Sequence, residues 1–327
     1  MPQRKSISVA MCTYNGAKYL REQLESIAAQ TRLPTELVIC DDRSTDSTLD
    51  IIRDFANTAP FPVRVHLNSV NLGGAAKGIT KNFEQASGLC TGVLIAFCDQ
   101  DDVWLPQKLA RMAQTMEEQP QLGGVFVDAQ LMNDQGVPTG IFLSETTGMT
   151  RKEHKRLMRG EVLPVLLSMT KVYGCTLMVD AHLLATLLPV PPHWWFDAWV
   201  PCMVAIHAKL VFIPEQLFYY RIHAAQSGVG ASLPTVSKRV QQWKHSAKDY
   251  WRDCEPQLID MYSRLKAENN PAMKTYLEYI RRRMDLLRFR TELPSNYLLR
   301  AIQVIPHAGD YHRYFNGWKS MIKDLTA

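Results

Sequence analysis

The sequence lacks a long hydrophobic run and lacks any closely spaced cysteine pair. No stretch of the 327 residues approaches the ~18 uninterrupted apolar residues of a transmembrane helix. The N-terminus, MPQRKSISVAMCTYNG, has no apolar core of the kind that signal peptides carry. The 7 cysteines are odd in number and never spaced as C-x-x-C, which argues against a disulfide framework or a zinc site. We therefore expect buried thiols and a cytoplasmic protein, either free or peripheral on the inner face of the plasma membrane.

Negative charge is scarce in the last third of the chain. The chain has a net charge of +5, but residues from Ser232 onward contain 17 basic and 10 acidic side chains. The part before Ser232 contains 20 basic and 22 acidic side chains and is nearly neutral. This distribution predicts an anionic partner for the C-terminal region.

Short apolar runs alternate with helical patterns over the first 135 residues. The runs predict buried strands at Ile7–Thr13, Glu36–Cys40, Val63–Leu67 and Gly92–Cys98. The helical patterns lie near Ala17–Gln30, Ser44–Asn57, Ile79–Ser87 and Pro106–Glu118. Such alternation predicts an α/β protein with a Rossmann-like, mostly parallel sheet and helices on both faces. Ligands of such sheets bind beyond the carboxyl ends of the strands.

The rest of the chain is less regular. We predict strands at Gly123–Asp134 and Val172–Asp180, a charged flexible connection at Arg151–Gly160, and a helix at Phe196–Ala208. The segment Leu210–His223 has the pattern of a hairpin-like pair of strands. Ala224–Pro234 has the composition of a linker, and everything after it is predicted to be helical.

The string AFCDQDDVWLP places three carboxylates, those of Asp99, Asp101 and Asp102, at the end of a predicted strand. Carboxylates that crowd together favour a hard cation, Mg²⁺ or Mn²⁺, which also binds substrate phosphates. In a D-x-D pair both side chains can hold the ion, or one can hold the ion and the other a sugar hydroxyl. The plainer alternative is a solvated acidic turn.

The same string also matches the nucleophile motif of haloacid-dehalogenase-like phosphatases. In that chemistry Asp99 would attack phosphorus and Asp101 would act as acid and base. That family carries the motif on its first strand and needs a later acidic pair. Here three strand–helix units precede the motif, and no Asp-Asp pair follows it.

A second acidic string, CDDRSTDST, places Asp41 and Asp42 at the end of the second predicted strand. A carboxylate there can accept a hydrogen bond from a nucleobase N–H or a ribose hydroxyl. Helix capping by Ser44 or Asp46 is the alternative use of this string. The first strand is followed by TYNGAKYL, a turn in which glycine lets the backbone approach a ligand.

Taken in order, VAMCTYNGAKYL, LVICDDRSTDST, NLGGAAKGIT and FCDQDDVWLPQKL resemble the inverting family-2 glycosyltransferases of the glycosyltransferase-A fold. The D-Q-D-D-V-W string is most similar to that of bacterial rhamnosyltransferase-type enzymes of surface-polysaccharide synthesis. The resemblance covers roughly Ser6–Gly228. It implies a catalytic domain at 1–228, with a nucleotide-binding half at about 1–135 and an acceptor half at about 136–228. A basic, helical and membrane-associating or packed region would occupy 229–327.

The resemblance also implies roles for the residues at the strand ends. Asp42 would contact the nucleotide base, and the backbone of Thr13 and Tyr14 would flank it. Asp99 would face the ribose or donor sugar, and Asp101 would be the main cation ligand. The role of Asp102 stays open.

The acceptor half would supply the base. Inverting transfer is a single displacement, and a carboxylate takes the proton of the attacking hydroxyl. In PPHWWFDAWV the available carboxylate is Asp197, whose alternative role is a helix cap. YYRIHAAQSG resembles the family's Y-R-x-H segment. Arg221 would then contact the diphosphate and His223 would complete the cation shell, unless both are structural.

The function so implied is metal-dependent transfer of a sugar, such as rhamnose, from a dTDP- or UDP-linked donor. The acceptor would be a saccharide or a polyprenyl-linked glycan. A phosphatase using Asp99 and Asp101, or a non-catalytic nucleotide-sugar-binding module, are the alternatives. The basic amphipathic segment Met273–Arg290 would either lie on an anionic membrane or pack against other helices. No nucleic-acid-binding module accompanies its charge, so no nucleic-acid partner is expected.

Overall fold

The chain divides into two compact units, Met1–Leu233 and Pro234–Ala327. The computed structural model describes residues 4–73, 76–168, 172–224, 226, 247–315 and 317–326. The predicted boundary between 228 and 229 lies outside these ranges and stays a prediction. Most of the predicted linker, Ala224–Pro234, lies outside them as well.

The described part of the first unit contains one sheet of nine strands. They are β1 (Ile7–Thr13), β2 (Glu36–Asp41), β3 (Val63–Leu67), β4 (Leu94–Cys98), β5 (Val103–Trp104), β6 (Leu122–Met132), β7 (Pro138–Phe142), β8 (Leu177–Asp180) and β9 (Lys209–Arg221). The order across the sheet is β3-β2-β1-β4-β8-β6-β9-β5, with β7 beside β6. The first four strands are parallel, and the strands beyond them are mixed in direction.

Helices flank this sheet and follow the strands along the chain. They are α1 (Leu20–Ala28), α2 (Thr48–Ala56), α3 (Ala76–Leu89), α4 (Lys108–Glu118), α5 (Leu143–Thr146), α6 (Arg151–Met158), α7 (Val162–Leu166), α8 (Ala181–Leu187) and α9 (Phe196–His207). A 3₁₀ turn at Gly174–Thr176 precedes β8. The predicted α/β architecture is thus confirmed.

Side chains alternate between the two faces of the central strands, as the pleat requires. Ala96 of β4 belongs to the core cluster that α1, α2 and α4 cover with residues such as Leu24 and Met112. Phe97 points to the other face, where its ring lies 4.8 Å from Phe196 of α9 and 5.9 Å from Phe83 of α3. The central strands β1, β2 and β4 are therefore buried on both sides, which explains why they are mostly apolar, whereas the edge strand β3 is largely exposed.

The strand register aligns the carboxyl ends of β1, β2 and β4 at one edge of the sheet. Thr13 pairs with Asp41, and Met11 pairs with Cys98. The residues that follow β1, β2 and β4 consequently meet at one edge of the sheet. This edge is where the two acidic strings of the sequence come together.

The predicted hairpin at Leu210–His223 is wrong, since β9 runs as a single strand. It pairs in parallel with β6, and the register shifts between the pairs Val127–Ile213 and Asp128–Gln216. Pro214 falls inside this irregularity, where its missing N–H does not interrupt the ladder. Pro214 therefore marks a bulge in a continuous strand and not a turn between two strands.

The predicted flexible connection at Arg151–Gly160 is also wrong, because most of it is helix α6. The Thr150 hydroxyl accepts from the Glu153 N–H at 3.1 Å, and the Glu153 carboxylate accepts from the Thr150 N–H at 2.8 Å. This reciprocal capping box stabilises the first turn of an otherwise charged helix. The strand predicted at Val172–Asp180 is shorter than expected and begins only at Leu177.

The second unit is helical wherever it is described, as predicted. Its helices are α10 (Ala247–Ala267), α11 (Lys274–Thr291), α12 (Tyr297–Val304), α13 (Ala308–Tyr314) and α14 (Trp318–Thr326). Two 3₁₀ turns, Pro271–Met273 and Ile305–His307, precede α11 and α13. Among the described helices, none is both long and apolar enough to cross a bilayer.

Helix α11 is the basic amphipathic segment of the sequence, and its apolar face is packed. Ile280 and Leu287 are buried. Arg283 and Arg290 are buried too, the first donating to the carbonyl oxygen of Tyr314 and the second to the carboxylate of Asp324. The sequence left two alternatives for this segment, an anionic membrane or packing against other helices. Its apolar face packs within the helical unit.

Candidate active site

Three carboxylates line the edge of the sheet beyond β4. Asp99 follows the last residue of β4 directly and is partly exposed, whereas Asp101 and Asp102 are buried. One carboxylate oxygen of Asp99, one of Asp102 and the sulfur of Cys175 all lie within 4.8 Å of one another. These three residues form a group that could hold a metal ion.

The strand β5 turns the acidic string back into the sheet. Val103 pairs with Tyr219, and Trp104 pairs with Phe218, near the end of β9. The loop of Gln100–Asp102 is thereby held against the residues that follow β9. This pairing between distant parts of the chain creates the site.

Burial and mutual repulsion disfavour ionisation of the cluster. Burial, and then the charge of Asp101, raise the pKa of Asp99 to about 6. Burial, followed by the charges of Asp101 and Asp99, raises the pKa of Asp102 well above its usual range. The Lys108 ammonium acts in the opposite direction on both groups. An additional positive charge at the cluster would therefore stabilise its ionised form.

The donor set fits a hard divalent cation. Asp102 Oδ2 is buried and has no hydrogen-bond partner in the described ranges, although buried polar atoms are normally paired. Burial raises the pKa of Cys175 well above its usual value, so this thiol stays neutral. Mg²⁺ and Mn²⁺ take oxygen ligands, and the carboxylates suit them better than the neutral thiol does.

The structure brings together the two predicted cation ligands. His223 Nε2 lies 2.7 Å from Asp101 Oδ2, and both side chains are nearly buried. The imidazole ring packs at 4.6 Å from the ring of Tyr19. The assignment of Asp101 and His223 as cation ligands stays a prediction.

Arg221 is buried beneath this edge and its guanidinium is engaged on several sides. Its Nε donates to the carbonyl oxygen of Asp101 at 2.8 Å, and a terminal nitrogen donates to the carboxylate of Glu22. Its backbone N–H donates to Asp102 Oδ1 at 3.2 Å. Arg221 thus holds the acidic loop in place. The predicted contact with a diphosphate is untested, and the observed contacts are those of a positioning residue.

The nucleotide side of the edge is built around Asp42. This carboxylate is buried and accepts from Asn68 Nδ2 at 3.0 Å and from the Leu72 N–H at 2.7 Å. Both bonds go to Asp42 Oδ1. The Asp42 N–H donates to the carbonyl oxygen of Thr13 at 2.8 Å. Asp42 therefore lies beside the predicted Thr13–Tyr14 backbone and also orders the loop after β3.

Gln100 links the acidic loop to that backbone and was not predicted from the sequence. Its Oε1 accepts from the Tyr14 N–H at 2.9 Å, and its Nε2 donates to the Tyr14 carbonyl at 3.1 Å. A Cβ at Gly16 would lie 2.3 Å from Gln100 Oε1. The glycine of the TYNG string is therefore needed for the close approach of this side chain.

Asp197 lies in the first turn of α9 and is partly buried. The N-cap of α9 is Trp195, so Asp197 is not the capping residue. Burial, and then the charge of Asp99, raise the pKa of Asp197 to about 7, against the N–H groups of Asp197 and Gly174, which lower it. The charge of Asp99 acts on Asp197, which places the predicted base within electrostatic reach of the acidic edge.

Lys108 is a further residue of the site that the sequence interpretation did not identify. Its ammonium lies 3.8 Å from the ring centre of Trp104 and 4.2 Å from that of Phe218, and it donates to the carbonyl oxygen of Cys175 at 2.7 Å. Burial lowers the pKa of Lys108 to about 8, against the nearby thiols and carboxylates. The signal was present, because positions 108, 112 and 116 lie on one face of α4, a face that Met112 and Met116 make apolar.

These contacts join the acidic loop to the acceptor side. Lys108 fixes Cys175 in the 3₁₀ turn Gly174–Thr176, and the Gly174 N–H of that turn acts on Asp197. The Cys175 thiol is also hydrogen-bonded to Asp99. The turn Gly174–Thr176 therefore contacts both Asp99 of the acidic loop and Asp197 on the acceptor side.

Comparison with known proteins identifies the class of this fold and site. The model of glycosyl transferase family 2 matches residues 8–174, about half of the chain. The chain belongs to this family, and it is a glycosyltransferase. The family match favours this activity over the phosphatase alternative.

Individual relatives cover different shares of the chain. An uncharacterized glycosyltransferase, alr2836 of Nostoc sp., is 29% identical over 72% of this chain and 70% of that protein. The dTDP-rhamnosyl transferase RfbG of Shigella flexneri is 39% identical over 100 residues, which are 30% of this chain and 34% of that protein. The likeness to a rhamnosyl transferase is thus confined to one segment.

A solved structure supports the fold. It is that of S. aureus TarS 1-349 in complex with UDP-GlcNAc, which is 21% identical to this chain with a TM-score of 0.57. The match covers 94% of this chain and 80% of that one. TarS is described as a poly(ribitol-phosphate) beta-N-acetylglucosaminyltransferase. At this identity the similarity confirms the glycosyltransferase-A fold and nothing finer.

Proposed function

We propose that this protein is a metal-dependent inverting glycosyltransferase with Asp197 as its base. The reaction is a single displacement at the anomeric carbon of a nucleoside-diphosphate sugar. A bond forms between an acceptor hydroxyl oxygen and that carbon as the bond to the diphosphate oxygen breaks. The hydroxyl proton goes to Asp197, and the diphosphate leaves with the bonding electron pair.

The observation that carries this proposal is the environment of Asp197. It is a partly buried carboxylate in the first turn of a helix, within electrostatic reach of the acidic edge, and its pKa is about 7. A base works best when its pKa lies near the working pH, because it is then ionised and still able to hold a proton. The helix N-terminus also favours the ionised form.

The donor would bind along the edge beyond β1, β2 and β4. We assign the nucleotide base to Asp42, whose Oδ2 is not used by the loop contacts. The Thr13–Tyr14 backbone would flank the nucleotide, and Asp99 would face the ribose or sugar. Arg221 would contact the diphosphate, and it also holds the acidic loop in place.

Asp101 and His223, with Asp99 and Asp102 beside them, would hold Mg²⁺ or Mn²⁺. When bound, such an ion would neutralise negative charge on the diphosphate leaving group. The protein side chains do the remaining work. Gln100 and Arg221 fix the loop that carries the carboxylates, which lies between β4 and β5.

The donor sugar is proposed to be dTDP- or UDP-linked, with rhamnose as the leading candidate. RfbG, whose printed name specifies a dTDP-rhamnosyl transferase, is 39% identical over 100 residues. The UDP alternative rests on the complex of TarS with UDP-GlcNAc, which has the same fold. The acceptor would be a saccharide or a lipid-linked glycan, used on the cytoplasmic side where nucleotide sugars are made.

A panel of nucleotide sugars tests the proposal. Thermal shift with each donor and Mg²⁺ or Mn²⁺ should single out one nucleotide, and release of its diphosphate should require an acceptor saccharide. Donor binding without any release of nucleoside diphosphate would instead indicate a non-catalytic binding module. Phosphate release from simple phosphomonoesters would indicate a phosphatase.

A further inference from the structure

Helix α12 exposes an apolar stripe to solvent. Leu298 is 72% exposed, Ile302 is 68% exposed and Ile305, just after the helix, is 57% exposed. Their spacing of four and three residues places them on one side of the helix. We call these three residues the aliphatic stripe.

The opposite side of α12 is attached to its own unit. Val304 is buried, and Arg300 donates to the carbonyl oxygens of Pro294 at 2.7 Å and Asp324 at 3.3 Å. The helix is therefore anchored by a polar and a small apolar contact, while its most hydrophobic residues point outward. Isolated surface leucines are common, but an ordered aliphatic row on an anchored helix marks an interaction surface.

Helix α14 shows the same arrangement. Trp318 is 58% exposed and Ile322 is 50% exposed, one turn apart on the same side of the helix. Met321 and Asp324 of this helix are buried instead. Tryptophan beside aliphatic residues is typical of surfaces that enter the headgroup region of a bilayer.

The charges of this region favour an anionic partner. No acidic residue occurs between Glu292 and Asp310. Asp310 lies 2.7 Å from Arg282, and Asp324 is buried against Arg290. Both carboxylates near the exposed rows are thus already neutralised, and Lys319 and Lys323 lie on the same helix as Trp318.

We propose that the aliphatic stripe is a docking surface for a bilayer with anionic headgroups. This deepens the proposed function, because it would place the enzyme beside a lipid-linked acceptor. It also moves the membrane contact from the basic helix α11, whose apolar face is packed, to α12.

Charge decides between a bilayer and a second copy of the chain. Residues from Ser232 onward carry 17 basic and 10 acidic side chains, a charge of +7. Two such units repel each other, whereas an anionic surface attracts them. The net charge of the unit therefore favours lipid over self-association.

Vesicle flotation of the full-length protein tests this surface without requiring activity. We expect it to float with vesicles that contain phosphatidylglycerol and to remain below with phosphatidylcholine alone. The double substitution Leu298→Asp with Ile302→Asp should lower the bound fraction by at least about 10-fold, because it removes two inserting side chains and adds negative charge. Ile259→Asp is the matched control. Ile259 lies on α10 and is 44% exposed, and its replacement should leave flotation unchanged.

Circular dichroism, and release of nucleoside diphosphate with a soluble acceptor, separate this proposal from the proposed function. Both should be the same in the double variant and in the unsubstituted protein. Equal flotation of the double variant and the control would overturn the proposal. So would failure of the unsubstituted protein to float, or light scattering that shows a lipid-free dimer which the double substitution dissociates.

Discussion

The pH dependence of turnover tests the role of Asp197 through its unusual environment. Burial, and then the charge of Asp99, raise the pKa of this carboxyl to about 7. A base acts only when it is ionised, so activity should be lost as the pH falls through this value. An ordinary aspartate would be ionised throughout the neutral range and would give no such loss.

The size of the effect follows from the titration curve. A single group with a pKa of about 7 is ionised in about 9% of molecules at pH ~6 and in about 91% at pH ~8. We therefore expect kcat/KM to rise about 10-fold between these values. Bound cation would offset the charge of Asp99, so the midpoint observed with saturating metal should lie at or slightly below 7.

Initial rates of nucleoside-diphosphate release, measured at saturating Mg²⁺ or Mn²⁺, supply the profile. Saturating metal keeps the carboxylates of the acidic edge ionised, so they add no step of their own. The residual activity of Asp197→Asn should lack the rise, since an amide does not titrate. A flat profile in the unsubstituted protein, or a rise that persists in Asp197→Asn, would refute the assignment.

Three further predictions follow from the contacts of the first unit. Asp101→Ala should abolish the increase in donor affinity that Mg²⁺ or Mn²⁺ produces in isothermal titration, whereas Asp50→Ala, an exposed carboxylate on α2, should not; equal metal dependence in both would contradict the assignment. Lys108→Met should lower the free energy of unfolding in urea by about 2–3 kcal/mol, because it leaves the buried Cys175 carbonyl without its charged donor. It should also reduce kcat, and unchanged stability would show that this contact is dispensable. Burial acts to raise the pKa of Glu36, but hydrogen bonds from Ser8, Thr91 and Arg64 lower it to about 2. The resulting stability, about 3 kcal/mol, is present above the unfolded-state pKa of about 4.5 and is lost as the pH falls towards 2. Glu36→Gln should therefore be less stable at neutral pH and lose less on acidification; an unchanged acid midpoint would contradict this.

The strands of the nucleotide-binding half were predictable because their signals are local. Ile7–Thr13 and Val63–Leu67 have the predicted bounds, and Glu36–Asp41 differs by one residue. Ile7–Thr13 and Glu36–Asp41 are buried along almost their whole length, which leaves little choice of side chain, whereas Val63–Leu67 is an exposed edge strand in which β-branched valines alternate with polar residues. The rule that ligands bind at strand ends then placed Asp42 and Asp99 at one edge.

One error arose where tertiary pairing decides the local structure, and the other where a local helix signal was outweighed by the charge of its neighbours. Nothing near Pro214 indicates that β6 will pair along the whole of β9 and absorb the proline in a bulge. Thr150 and Glu153 have the spacing of a capping box, which indicates the start of α6. The charged composition of Arg151–Gly160 instead favours a flexible connection, and that prediction was wrong.

The partners of the buried residues of the site could not be read from the sequence, because they are distant along the chain. Lys108 meets the Cys175 carbonyl across 67 positions, and Asp102 meets the Arg221 N–H across 119. These contacts depend on the pairing of β5 with β9. A motif predicts which residues face a ligand. The buried residues that position them can be identified only when the pairing of the whole sheet is known.

The central claim is that this family-2 glycosyltransferase uses Asp197 as its base. The most direct measurement compares Asp197→Asn with the unsubstituted protein for donor affinity and for the rate of transfer at saturating donor. We predict an unchanged donor dissociation constant and a rate lower by about 10²–10⁴-fold, the usual contribution of a general base. A transfer rate within a few-fold of the unsubstituted protein would contradict the claim.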